Sequence, residues 1–233
     1  MATSPRSRHT AAMTPLPAVA RPKLVVAISG GGTTLRNLID RIAGGTLDAE
    51  IVGVVATRDD IGGVAIANDA GLPIRVLRRD DFLPSPEADP DAGDAAYSDA
   101  LFDFVREQAA DLVVMAGFLA FVEIPPDFEH RVLNIHPSLI PAFCGKGYYG
   151  LRVHRAVIER GCRVSGCTVH LVDNEYDHGP IVDQRVVDVD PADTPESLAA
   201  RVFETECELY PAAIAAVAAG TLSVDGRRVV RGS

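Results

Sequence analysis

The sequence predicts an α/β fold: an open, mostly parallel twisted sheet with helices on both faces and antiparallel strands toward the C-terminal part. Three observations carry this. From Lys23 onward, short β-branched runs alternate with helical stretches, the signature of parallel strands joined by right-handed crossovers. A glycine cluster, ISGGGTTL, stands at the first strand-to-helix junction, where open α/β sheets bind ligands. Later, VSGCTVHLV and PIVDQRVVDV read as two longer strands joined only by DNEYDHG, a connection too short for a parallel crossover.

In order, KLVVAI, TTLRNLIDRIAGG, EIVGVVAT, GGVAIANDAG and PIRVL give βαβαβ. The acidic, proline-rich DDFLPSPEADPDAGD, Asp80 to Asp94, reads as a mobile surface loop before a helix over Ala95 to Ala110. A strand at Asp111 to Ala116 follows, ending in Gly117. A further unit leads through Phe128 to the strand RVLNIH, Arg131 to His136. LRVHRAVIERG is helical, the two longer strands come next, and a helix over about Thr194 to Ala219 closes the core. With no internal repeat and no strong linker, residues 23–233 form one domain. Residues 1–22 form a disordered tail, in which Pro5, Pro15, Pro17 and Pro22 oppose an amphipathic targeting helix despite Arg6, Arg8 and Arg21.

The 233 residues carry a net charge of -10, so nucleic acid and acidic membranes are excluded as main partners; small-molecule substrates are expected, with a monomer or homodimer as the assembly. No apolar run approaches the roughly 18 residues of a membrane span. Four cysteines without a CxxC pair suit a reducing compartment, the cytoplasm, and give no metal scaffold.

Three stretches hold groups capable of chemistry. In the glycine cluster, both the dinucleotide and the P-loop fingerprints fail, because Leu35 takes the third position of GxGxxG and no GK[ST] follows. A tight turn remains one reading. The other is a phosphate held by Gly32, helix N–H groups and the Thr33 and Thr34 hydroxyls. In LNIHPSLIPAFCGKGYYG, Asn134 and His136 share one face of a strand end, where an amide beside an imidazole would serve as oxyanion donor and proton shuttle; a satisfied buried histidine is the alternative. In DNEYDHGPI, His178 and Gln184 break the calcium-loop pattern, and Asp177 is placed to reach a strand-end histidine and raise its pKa. A serine hydrolase of Ser138, His136 and Asp177 lacks the GxSxG elbow. A zinc site from His136, His154, His170 and His178 lacks the required spacings, so no metal is expected.

Together, the glycine-rich loop, NIHPSLIP and the D-x-G-P-I turn resemble the phosphoribosylglycinamide formyltransferase family, from about Lys23 to Ala219. The resemblance implies a formyltransferase-like, Rossmann-related fold. It also implies transfer of a formyl group from 10-formyltetrahydrofolate, as co-substrate, to the amine of glycinamide ribonucleotide in purine synthesis. By position it assigns Asn134, His136 and Asp177 to catalysis and Gly32, Thr33 and Thr34 to the phosphate. Glu206 would contact the glycinamide end, and Leu119, Ala120, Phe121, Val122 and Asn134 the folate, with His170 near the formyl position. The chain departs from the family in GGGTT where GNGSN is common, in Asp94 where some members have a folate-contacting arginine, and in the longer AFCGKGYYG, whose Lys146, Tyr148 and Tyr149 form either an altered lid or a surface loop. Amino-sugar formyltransferases and formyltetrahydrofolate hydrolases share the trio and stand as alternatives; for the hydrolase, and for methionyl-tRNA formyltransferase, a further domain would be expected.

Overall fold

The computed structural model describes residues 13–16, 18–85, 89 and 91–231. Its strands and helices in chain order are β1 (Thr14–Pro15), β2 (Lys23–Ile28), α1 (Thr33–Ala43), β3 (Glu50–Ala56), α2 (Gly62–Asp69), β4 (Ile74–Val76), α3 (Asp94–Glu107), β5 (Leu112–Met115), β6 (Val132–His136), α4 (Leu151–Glu159), β7 (Val164–Leu171), β8 (Ile181–Asp188), α5 (Pro195–Ala218), β9 (Leu222–Asp225) and β10 (Arg228–Arg231). One ten-stranded sheet runs β1-β9-β10-β8-β7-β6-β5-β2-β3-β4. Strands β2 to β6 pair in parallel; β7 then pairs antiparallel to both β6 and β8.

The parallel strands are apolar on both faces because helices cover both. Leu24, Val26 and Ile28 of β2 join Leu35 and Leu38 of α1, Val157 of α4 and Leu198, Val202 and Ile214 of α5 in one core. The alternate residues Val25 and Ala27 pack instead with Tyr97, Leu101 and Phe102 of α3 on the opposite face. Each fully buried Val, Leu, Ile or Phe side chain among these contributes about 1.5–3 kcal/mol of transfer free energy.

The chain moves outward from β2 through β3 to β4, then returns to build β5 and β6 on the other side. The strand order therefore reverses between β2 and β5, and the loops leaving these strands enclose a crevice. Ser29 N–H donates to the Gly117 carbonyl (3.2 Å) and Leu119 N–H to Ser29 Oγ (2.9 Å), which ties the two loops together at that point.

Helix α5 begins with a capping box between Thr194 and Ser197 and carries Pro211 in its interior. Pro211 has no N–H for the Cys207 carbonyl one turn earlier. Asn37 Nδ2 of α1 donates to that carbonyl instead, at 3.1 Å, so the proline becomes a junction between α1 and α5.

Two expectations are corrected. The segment read as tail is ordered from Thr14: β1 pairs antiparallel with β9, and Leu16 is buried in the core, since proline tolerates an edge strand even where it forbids a helix. Residues 1–12 lie outside the described part. Nor does the helix ending near Ala219 close the core: β9 and β10 follow as a hairpin turning at Gly226, which adopts positive φ, and Leu222 and Val224 of β9 are part of that core. Asp225-Gly226 was its sequence signal.

Candidate active site

Strand β6 ends at the crevice, and its pairing with β7 sets Asn134 opposite His170 and His136 opposite Thr168. The β7–β8 turn carries Asp177, at φ 53, against both. His136 Nδ1 lies 3.5 Å from Asp177 Oδ2, and Asn134 Nδ2 lies 3.5 Å from Asp177 Oδ1. Asn134, His136 and Asp177 are therefore brought together, as their spacing across forty residues of sequence could only suggest.

Hydrogen-bond partners fix the roles of these groups. His170 Nδ1 faces the Leu171 carbonyl at 3.0 Å, so that nitrogen carries the proton and Nε2 is an acceptor. Asn134 Nδ2 donates to it at 3.1 Å, which orients the amide. His136 Nε2 donates to the Phe143 carbonyl at 2.9 Å, and Asp177 Oδ2 accepts from Gly145 N–H at 2.8 Å. The Asp177 turn is pinned in its own right: Asp173 Oδ2 lies 2.8 Å from His178 Nδ1, Asn174 Oδ1 accepts from Ile124 N–H (2.7 Å), and Arg227 at the tip of the last hairpin donates to the His178 carbonyl (2.6 Å).

The pKa directions correct one expectation. Burial holds His136 below its ordinary value and outweighs the nearby Asp177 carboxylate, so the imidazole rests neutral rather than being kept protonated. Burial acts to raise Asp177, yet the neighbouring His170 and His136 rings, 3.8 and 3.5 Å away, and the Gly145 N–H together hold its pKa below the usual carboxylate range.

A cleft of about 550 Å³ opens over this cluster, lined by Thr33, Thr34, Leu119, Asn134, His136, Lys146, Tyr148, Tyr149, Asp177 and Glu206 among others. A smaller recess of about 60 Å³ behind it is lined by Ala120, Phe121, Val122, His170 and Tyr176. Asn134 and Asp177, with Phe118 and Tyr176, line both. The expected folate segment is thus divided, with Leu119 in the large cleft and Ala120 to Val122 in the small one.

In the glycine loop, the two readings separate by residue. Gly32, at φ 77, precedes α1, and a Cβ there would stand 2.5 Å from Gly63 Cα, so its identity is explained by the turn and by packing. A Cβ on Gly30 or Gly31 would meet nothing within 4 Å, so packing requires neither glycine and there is open space beside both. No side chain caps α1, which leaves first-turn N–H groups beside Thr33 and Thr34 for an anion. Glu206, on α5, is 9% exposed, and burial alone pushes its pKa up to about 7. Among the described residues its carboxylate has no hydrogen bond or ion pair.

Lys146, Tyr148 and Tyr149 all line the cleft, so the long AFCGKGYYG segment is part of its wall. The acidic stretch read as a mobile loop is tied down at its end: Asp94 is buried and paired with Arg79, while Asp91 pairs with Arg79 (3.3 Å) and with Lys146 (3.2 Å). Residues 86–88 and 90 lie outside the described part. The residues that sequence reasoning missed are the Phe143 carbonyl, the Gly145 amide, and Arg227. Backbone groups leave no mark in residue identity, and Arg227 reaches the site only through the hairpin.

Comparison with known proteins adds the following. A family model for formyl transferase matches residues 22–214. Over 199 residues the chain is 40% identical to the chloroplastic phosphoribosylglycinamide formyltransferase of Arabidopsis thaliana, covering 84% of this chain and 65% of that protein. It is 36% identical over 194 residues to phosphoribosylglycinamide formyltransferase of Haemophilus influenzae, covering 82% and 85%. The crystal structure of glycinamide ribonucleotide transformylase 1 from Symbiobacterium toebii superposes with a TM-score of 0.79 at 35% identity, covering 91% of this chain and 95% of that one.

Proposed function

The chain belongs to the formyl transferase family, and on that premise we propose that it moves a formyl group from 10-formyltetrahydrofolate to the amine of glycinamide ribonucleotide, a step of de novo purine synthesis. The observation that carries this reading is the convergence of Asn134 and Asp177, which line both cavities, with His136, which lines the large one. One cavity is large and begins at a helix N-terminus suited to a phosphate; the other is a small recess. Two co-substrates meeting head to head need that layout.

In this reading the ribonucleotide phosphate lies at Thr33 and Thr34, and Glu206 receives the glycinamide end. The folate lies along Leu119 to Val122. The substrate amine attacks the formyl carbon, and the carbonyl oxygen that becomes negative is stabilised by the Asn134 amide, of which one N–H is committed to His170 and the other only loosely to Asp177. Neutral His136 takes the proton that the attacking nitrogen must lose, and Asp177 stabilises the resulting imidazolium. The proton then passes to the folate nitrogen as the bond from it to the formyl carbon breaks. The balance is complete: an amine and a formamide exchange one formyl group and one proton.

The four cysteines are unpaired, which supports a reducing compartment such as the cytoplasm. The test is an assay of folate release with glycinamide ribonucleotide, with a panel of amino sugars, and with water alone. Release only with the sugars, or without any amine, overturns the assignment.

A further inference from the structure

We propose that Ser138 is a positioning residue for His136: its hydroxyl holds the turn that sets the Phe143 carbonyl on His136 Nε2. The ring is thereby locked as the Nε2–H tautomer, and Nδ1, facing Asp177, is left as the only nitrogen that exchanges a proton. This rests on the reading of His136 as a proton carrier.

A carbonyl oxygen only accepts, so at 2.9 Å from Phe143 the Nε2 atom keeps its hydrogen in every protonation state. The opposite tautomer would set a nitrogen lone pair 2.9 Å from that oxygen, whereas the Nε2–H tautomer sets the Nδ1 lone pair at 3.5 Å from Asp177 Oδ2, the looser of the two contacts. What remains free to gain or lose a proton is Nδ1, 3.5 Å from Asp177 Oδ2. The same residue's Nε2 therefore serves as a fixed anchor while Nδ1 works.

The anchor needs a carbonyl that stays in place, and the turn from Ser138 to Phe143 is held from several sides. Ser138 is 1% exposed, and its hydroxyl donates to the Ala142 carbonyl (2.6 Å) and leans on that of Phe143 (3.3 Å). The Ser138 carbonyl accepts from Thr168 Oγ1 (2.7 Å), which in turn accepts from Ile140 N–H (3.1 Å). Gln184 Nε2 of β8 reaches the Ile140 carbonyl at 3.0 Å. Phe143 itself sits at φ 50, a conformation a phenylalanine adopts only when its surroundings impose it. The hydroxyl of Ser138 points at carbonyls and makes no hydrogen bond with the His136 ring, which gives this serine a task other than nucleophilic attack.

The titratable groups facing His136 are Asp177 from the β7–β8 turn, His170 from β7 and His154 from α4. A shift in the pH–rate profile is therefore read together with a direct measurement on the ring. In protein labelled with ¹⁵N in its histidine rings, long-range ¹H–¹⁵N correlation at pH 8.5, assigned by loss of the His136→Ala signal, is expected to show Nε2 protonated and Nδ1 bare. The Nδ1–H tautomer, or an even mixture, overturns the lock in the unmodified protein, whatever any variant does. Ser138→Ala is expected to mix the tautomers, to lower kcat about tenfold with KM changed less than about twofold, and to move the acidic limb of the kcat profile. Ser138→Cys, which keeps the side-chain shape with a slightly larger atom and a weaker donor, is expected to lie between and serves if the alanine variant does not fold. A single tautomer and unaltered kcat in both variants removes Ser138 from the proposal. Tautomer mixing with unaltered kcat leaves the positioning intact and overturns instead the place of His136 in the chemistry.

Discussion

Replacing Glu206 by glutamine should stabilise the protein at alkaline pH and leave it unchanged in acid. In the folded chain burial alone pushes this carboxyl from its ordinary 4.5 to about 7. A group whose pKa is raised on folding binds its proton more tightly in the folded state, so stability falls as pH rises from about 4.5 to about 7 and levels off above. The rise from 4.5 to about 7 corresponds to about 3 kcal/mol withheld from the folded state once the carboxylate is charged. Below pH 4.5 both states are protonated and the cost vanishes. Glutamine, isosteric and always neutral, removes the pH-dependent part. Urea unfolding at pH 4 and pH 8.5 checks this: the gain of Glu206→Gln over the native chain should be about 3 kcal/mol larger at pH 8.5, roughly a 1 M shift in midpoint. An equal difference at the two pH values would show that the carboxylate already has a partner or reaches water, and the reasoning would fail. The same substitution should raise KM for the amine substrate, because the unpaired carboxylate is the group that a substrate amide or amine N–H would satisfy.

Three further outcomes follow from the geometry. Asn134→Ala, His136→Ala and Asp177→Ala should each lower turnover at least about tenfold with the fold retained by circular dichroism; near-normal turnover in His136→Ala would sink the mechanism. Gly32→Ala should lower the melting temperature, at a cost of at least about 1 kcal/mol from positive φ alone, whereas Gly31→Ala should melt like the native chain and raise KM for the phosphorylated substrate; equal melting of the two would contradict the division of the loop. Tyr210→Phe should cost about 1–2 kcal/mol in chemical denaturation, since the buried hydroxyl lies 2.9 Å from both the Met115 and Leu133 carbonyls and its one hydrogen is shared between the ends of β5 and β6.

The βαβαβ opening was legible because alternation and glycine punctuation are local signals, and the structure returns those elements within a few residues of where the pattern puts them. Motif resemblance picked out Asn134, His136 and Asp177, which the fold brings within 3.5 Å of one another at Asp177. Their protonation was not legible: that Asp177 stands near His136 could be anticipated, but that desolvation would outweigh it depends on how deeply the ring is enclosed. The edge strand at Thr14 was misread because proline-rich composition argues against a helix and says nothing about pairing with a strand two hundred residues away. The Phe143 and Gly145 backbone contacts had no sequence signal at all, although the unusual length of their segment did mark the place where something besides a short connection was being built.

Asn134 and Asp177 form a party wall between two chambers. Whatever enters one chamber strips water from one side of these two side chains, and the opposite side keeps its hydration until the second guest arrives. Their fields strengthen as water leaves, because charges and dipoles are screened less in a dry surrounding. Each occupant therefore alters the dielectric that the other meets without touching it, and the wall reaches full electrostatic strength only when both chambers are filled.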